Sequence, residues 1–86
     1  MNKIDIYTTQ TCPFCIKAKK LLNTLNLNYT EHNVDSSFDD MVKELSEKFG
    51  KNIQTVPQII INEKYIGGYT DLEALYKSGK LNEYLQ

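Results

Sequence analysis

Near the N-terminus apolar and polar positions alternate, with Ile4, Ile6 and Thr8 on one side and Asp5, Tyr7 and Thr9 on the other. This period of two predicts a strand with one face toward a core. Beyond Pro13 the period lengthens. Ala18, Leu21, Leu22 and Leu25 mark one face of a helix, and Lys17, Lys19, Lys20 and Asn23 take the other. Pro13 suits the first helical position, where its missing N–H would have no partner anyway, so Cys12 falls at the N-cap. Asn26 to Asn28 tolerate turn conformations and end the helix, and Tyr29 to Val34 predict a second strand.

Ser36 or Ser37 can cap a second helix, with Asp39 and Asp40 in its first turn where the dipole favours negative charge. Phe38, Met41, Val42, Leu45 and Phe49 then recur at helical spacing, up to Gly50 as the residue after the cap. Gln58 to Asn62 is hydrophobic on both faces, as a central strand is, and Asn62-Glu63-Lys64 turns the chain into a fourth strand at Tyr65-Ile66. After Gly67-Gly68, Thr70-x-x-Glu73 has the form of a capping box opening a third helix through Leu72, Leu75 and Tyr76. Ser78-Gly79 interrupts it, and Leu81, Tyr84 and Leu85 suggest one more turn. The order β-α-β-α-β-β-α predicts an α/β fold, a mixed four-stranded sheet flanked by three or more helices on both faces.

Composition narrows the function. With 86 residues, 41% hydrophobic and 24% charged, residues 1–86 are expected to form one folded domain, and a disordered chain is excluded. The longest aliphatic run, Ile59-Ile60-Ile61, is far short of the roughly 20 apolar residues of a membrane span. Net charge is −1 and all ten basic residues are Lys, which argues against a nucleic-acid partner. Met1-Asn2-Lys3 leads into an alternating segment and not an apolar leader, so a reducing, cytoplasmic compartment is expected.

In that compartment the two cysteines, Cys12 and Cys15, need a purpose other than stapling, because so short a loop constrains the unfolded chain little. A Cys-x-x-Cys beside a β-α-β pattern is a thioredoxin-like redox signature. At a helix start, unpaired N–H groups and the positive end of the dipole favour a thiolate, which fits Cys12 as nucleophile. Cys15, about one turn on, can reach back to resolve. The competing readings are two small buried apolar residues, or half of a zinc site. Zinc wants four ligands, and the other soft candidate, His32, falls on the second strand as a surface residue.

Three segments, Cys12-Pro13-Phe14-Cys15, Thr55-Val56-Pro57 and Gly67-Gly68-Tyr69-Thr70-Asp71, together resemble a dithiol glutaredoxin of the small bacterial type over almost the whole chain. The resemblance implies a thioredoxin fold with a cis Pro57, and glutathione as reductant and co-substrate, with no metal. It also implies a glutathione site at Phe14, Thr55, Val56, Pro57, Gly68, Tyr69, Thr70 and Asp71. In that site the Val56 backbone would pair with the cysteinyl part of the tripeptide. Backbone N–H groups at Thr70 and Asp71 would take the γ-glutamyl carboxylate, and the Asp71 side chain its ammonium. The glycines would permit close backbone approach. Implied partners are protein disulfides and glutathionylated proteins, ribonucleotide reductase among them, acted on by a monomer.

Two positions depart from the pattern. Relatives usually carry Lys or Arg where this chain has Thr9, and Tyr where it has Phe14. Thr9 supplies no charge for the thiolate or for the glycyl carboxylate, leaving Lys51 or Lys17 as substitutes. The alternatives to glutathione-dependent exchange are a redoxin served by thioredoxin reductase, a glutathione-supported [2Fe–2S] scaffold, against which Pro13 counts, and an inactive binding module, against which both cysteines count.

Overall fold

The computed structural model describes residues 2–85. In chain order the elements are β1 (Ile4–Thr8), α1 (Pro13–Thr24), β2 (Thr30–Asn33), α2 (Phe38–Phe49), β3 (Gln58–Ile61), β4 (Lys64–Gly67) and α3 (Tyr69–Lys77), then a 3-10 turn at Leu81–Glu83. The strands form one mixed sheet in the order β2-β1-β3-β4, with β1 parallel to β2 and antiparallel to β3, and β3 antiparallel to β4. A parallel pair requires a crossover, which α1 supplies. The β3–β4 pair requires only a tight turn, and Asn62 and Glu63 make it at φ of 50° and 67°. Positive φ at both central residues matches the twist of the flanking strands.

Alternation along the central strands divides the core into two layers. Ile4 and Ile6 of β1, Ile59 and Ile61 of β3 and Ile66 of β4 pack with Ala18 and Leu22 of α1 and Leu72 of α3. Ile60 points to the opposite face, where it meets Val34, Met41, Leu45 and Ile53. All four residues of β3 are buried, Gln58 among them, and burial on both faces is why Ile59 to Ile61 read as an unbroken apolar run.

Several boundaries are set by hydrogen bonding that periodicity does not show. β2 is two residues shorter than the Tyr29–Val34 expectation, because β1 offers it only the register Asp5 to Thr8. α1 ends in a Schellman motif: Leu27 N–H bonds Leu22 C=O and Asn26 N–H bonds Asn23 C=O, both at 3.0 Å, with Asn26 at φ 57°. Ser37 is the N-cap of α2, but its hydroxyl makes no capping bond, and Gly50 closes the helix in the left-handed conformation.

A polar clamp fixes α1 against the sheet. The buried Thr8 hydroxyl donates to Glu31 Oε2 at 2.7 Å, and Lys19 Nζ reaches the same oxygen at 2.9 Å. The Thr8 bond, then the Lys19 bond, holds the Glu31 carboxyl below its ordinary value, outweighing the small opposing effect of burial. His32 is a half-buried residue of β2, stacked on Tyr7 at 4.7 Å with Nε2 3.0 Å from Asp5 Oδ1. Its partners are on the sheet and not at the cysteines. No described helix is long and apolar enough to cross a membrane.

Candidate active site

Cys12 takes an extended conformation before α1, and its Sγ accepts the Cys15 N–H at 3.0 Å. That is the bond a serine oxygen would make at an N-cap, so here sulfur occupies the point where unpaired N–H groups and the positive helix end converge. Cys15 is joined to Cys12 as a disulfide, with Cα atoms 5.2 Å apart, inside the ordinary range for such bridges. Relative exposure separates the two: Cys12 is 8% exposed and Cys15 1%. Approach from solvent is thus through Cys12. The first turn of α1 holds no acidic residue to oppose negative charge on sulfur.

The second segment is Thr55-Val56-Pro57, with a cis Val56–Pro57 bond. The Val56 carbonyl oxygen lies 3.6 Å from Cys12 Sγ, so this loop borders the sulfur directly. Its conformation is held by a residue that sequence patterning passed over as part of an apolar strand. The buried Gln58 amide donates from Nε2 to Thr55 C=O at 2.8 Å and to Thr55 Oγ1 at 3.3 Å, and its Oε1 accepts the Tyr65 hydroxyl at 2.7 Å. Burial, then the Asp71 charge, raises the Tyr65 phenol above its ordinary value, which keeps it a donor. The available signal was one amide opening a run of isoleucines, since a buried amide needs partners.

Replacing Gln58 by Met keeps approximate volume and removes all three bonds. The Gln58→Met protein is expected to lose about 1–3 kcal/mol in urea unfolding, because the Thr55 carbonyl and the Tyr65 hydroxyl lose their partners. Amide exchange at Val56 is expected to quicken. Unchanged stability together with unchanged exchange at Val56 would show that the loop holds its shape without the amide.

The third segment is the β4–α3 turn, and its cap differs from the sequence expectation. Thr70 is the second residue of α3, not its cap, so the Thr70–Glu73 capping box does not form. The N-cap is Gly68, whose N–H donates to Asp71 Oδ2 at 3.0 Å. Glycine has no side chain to return a bond, so only one half of the reciprocal box exists. Glu73 instead accepts the Tyr69 hydroxyl at 2.8 Å, and that bond, followed by desolvation, raises the Tyr69 phenol. Gly67 sits at φ 118°, where a Cβ would collide with the Asp71 carboxylate. Gly68 is less constrained: a Cβ there would meet Pro57 O at 3.6 Å, ordinary contact distance.

These contacts join the three segments into one surface. Cys12 touches Val56, Pro57 approaches Gly68, and the Phe14 ring faces Tyr69 at 6.2 Å. Phe14, Thr55, Val56, Pro57, Gly68, Tyr69, Thr70 and Asp71 all lie on these three segments, and of them Val56 borders the Cys12 sulfur. Thr9 lies in the loop before Cys12, whose Gln10 N–H is tied to Asp35 Oδ1 at 3.0 Å. Among the described residues no group of three or more His, Cys, Asp or Glu side chains could hold a metal ion.

A thioredoxin fold that presents a Cys-x-x-Cys disulfide at the start of its first helix defines a thiol–disulfide oxidoreductase. The glutaredoxin family model matches residues 4–66. A glutaredoxin of Pseudomonas aeruginosa is 42% identical over 85 residues, covering 99% of this chain and 98% of the relative. Among solved structures, a dithiolic glutaredoxin of Trypanosoma brucei brucei is 40% identical with a TM-score of 0.84, covering 99% of this chain and 88% of that one. Buckwheat glutaredoxin, solved as a glutathione complex, is 28% identical with a TM-score of 0.84, covering 98% and 76%. The chain belongs to the glutaredoxin family.

Proposed function

We propose that residues 1–86 form one domain that acts as a cytoplasmic, monomeric, glutathione-dependent reductase of protein disulfides and glutathione mixed disulfides. The observation that carries this reading is the Cys12 sulfur at the N-cap of α1, 3.0 Å from the Cys15 N–H and bridged to a Cys15 that is more deeply buried. In the reduced protein the same N–H and the helix dipole favour a Cys12 thiolate. That thiolate attacks a glutathionylated protein, forms Cys12–S–S–glutathione and expels the protein thiolate, which takes a proton from water. A glutathione thiolate then attacks the glutathione sulfur, giving glutathione disulfide and restoring Cys12. With an intramolecular protein disulfide, Cys12 forms a mixed disulfide and Cys15 loses its proton and displaces the substrate. The Cys12–Cys15 bridge that results is reduced by two glutathione molecules.

Glutathione fits the chemistry of the surrounding groups. Val56 offers backbone beside the sulfur, and Thr70 and Asp71 N–H groups precede the first helical bond of α3, Leu72 N–H to Gly68 C=O at 3.1 Å. They suit a carboxylate at a helix N-terminus. Asp71 commits Oδ2 to Gly68, and its Oδ1 makes no hydrogen bond among the described residues, which suits an ammonium. The Phe14 and Tyr69 rings, facing each other at 6.2 Å, offer apolar surface on two of these segments.

The test is reduction of hydroxyethyl disulfide by the purified protein, coupled in one arm to glutathione, glutathione reductase and NADPH and in the other to thioredoxin reductase and NADPH. Saturable turnover in the glutathione arm alone is expected. Turnover confined to the thioredoxin reductase arm would assign the protein to the other reductase system.

A further inference from the structure

We propose that the outer face of α1 beside the sulfurs, carrying Phe14, Ile16, Lys17 and Lys20, docks an extended segment of a protein disulfide in which carboxylates and an apolar residue flank the reacting cysteine. The inference rests on the reading of Cys12 as the attacking sulfur. Among the described residues the exposed large hydrophobics are Ile16 at 60%, Phe14 at 51% and Tyr76 at 45%. Two of the three therefore lie within four residues of Cys12. The helix that turns Cys15, Ala18 and Leu22 inward must turn Ile16 and Lys20, one turn apart, outward. An exposed Ile contributes nothing to the core, and Ile16 and Phe14 border, from either side, the arc of α1 that carries Lys17 and Lys20, a mixed apolar and basic surface next to a reactive group.

Charge identifies the occupant. Residues 13–24 contain three lysines and neither Asp nor Glu. Lys19 is engaged by Glu31, whereas Lys17, 5.2 Å over the Phe14 ring, and Lys20 enter no ion pair among the described residues. Asp71 and Glu73 belong to α3, so the acidic groups near this turn stand on that helix and not on α1. A mixed disulfide fixes the substrate cysteine about 4.4–6.8 Å from Cys12 between Cα atoms. Substrate residues two to four positions away then reach roughly 7–13 Å along the surface, at ~3.3 Å each. Lys20 lies about 12 Å from Cys12 along the helix axis, within that span.

The test uses two peptides, each closed by one intramolecular disulfide whose cysteines are flanked by Leu and Asp in one and by Leu and Lys in the other, with hydroxyethyl disulfide as a small substrate. At low salt the acidic peptide is expected to show about fivefold higher kcat/KM than the basic one, the size of two exposed charge pairs. The ratio is expected to fall toward one at about 0.5 M salt, where screening acts within ~4 Å. The double variant Ile16→Ser, Lys20→Glu is expected to lose the preference while its melting temperature and hydroxyethyl disulfide turnover stay at the wild-type level. Equal rates for both peptides in a wild-type protein that reduces hydroxyethyl disulfide would overturn the docking face alone. So would a double variant that keeps the preference. A wild-type protein inactive on hydroxyethyl disulfide would overturn the glutathione reading beneath it.

Discussion

Cys12→Ser is expected to bring glutathione-dependent disulfide reduction down to the uncatalysed background, while Cys15→Ser keeps reduction of glutathione mixed disulfides and loses most reduction of intramolecular protein disulfides. The asymmetry follows from position. Cys12 alone of the pair opens to solvent, and its sulfur receives an N–H bond and the helix dipole. A serine hydroxyl at that point still caps the helix, so the fold is expected to survive and the loss to be chemical, because a hydroxyl does not ionise near neutral pH. Cys15 is needed only when the substrate is to be displaced by a second protein sulfur. Assays with a glutathionylated peptide and with a protein disulfide, on both variants, check this. Equal loss in the two variants, or activity surviving in Cys12→Ser, would overturn the roles.

Gly67→Ala is expected to be among the most damaging single changes outside the cysteines. At φ 118° any residue with a Cβ is strained, which costs about 1–3 kcal/mol. The added methyl also meets the Asp71 carboxylate and displaces the oxygen that caps Gly68, with a further loss of about 1 kcal/mol. Together these predict destabilisation of roughly 2–4 kcal/mol, or about 8–30 °C in melting temperature for a chain of this size. Because Asp71 moves, the KM for glutathione is expected to rise as well. Gly68→Ala provides the comparison: its backbone is at φ −93° and its Cβ has room, so its melting temperature is expected to change little. Thermal unfolding of the two variants decides. Similar melting temperatures would show that the turn relaxes around the methyl.

Much of this architecture was legible because each signal is local. Two-residue alternation in Ile4 to Thr8, the Pro13 start, the Leu spacing after it and the buried run at Ile59 to Ile61 all report which side of one element faces the core. The Thr70–Glu73 capping box is where local reading failed. Its form is correct for a cap, but β4 continues to Gly67 and α3 starts at Tyr69, which moves the cap to Gly68 and passes the N3 position to Asp71. Gln58 was invisible for a related reason: a polar residue at the start of an apolar strand is absorbed into the strand pattern until its partners, Thr55 and Tyr65, are known.

By itself, then, the sequence determined the order of elements, the two-layered core, the helix start at Pro13 and the pairing of two cysteines one turn apart, since these depend on periodicity and on backbone chemistry within a few residues. Only the tertiary structure decided what surrounds the sulfur. The Val56 carbonyl beside Cys12, the Phe14–Tyr69 contact and the Asp71 cap that requires glycine at Gly67 link residues distant in the chain or depend on backbone angles. Such contacts are set by how the sheet register and the helices bring chain ends together, which no local pattern of side chains encodes.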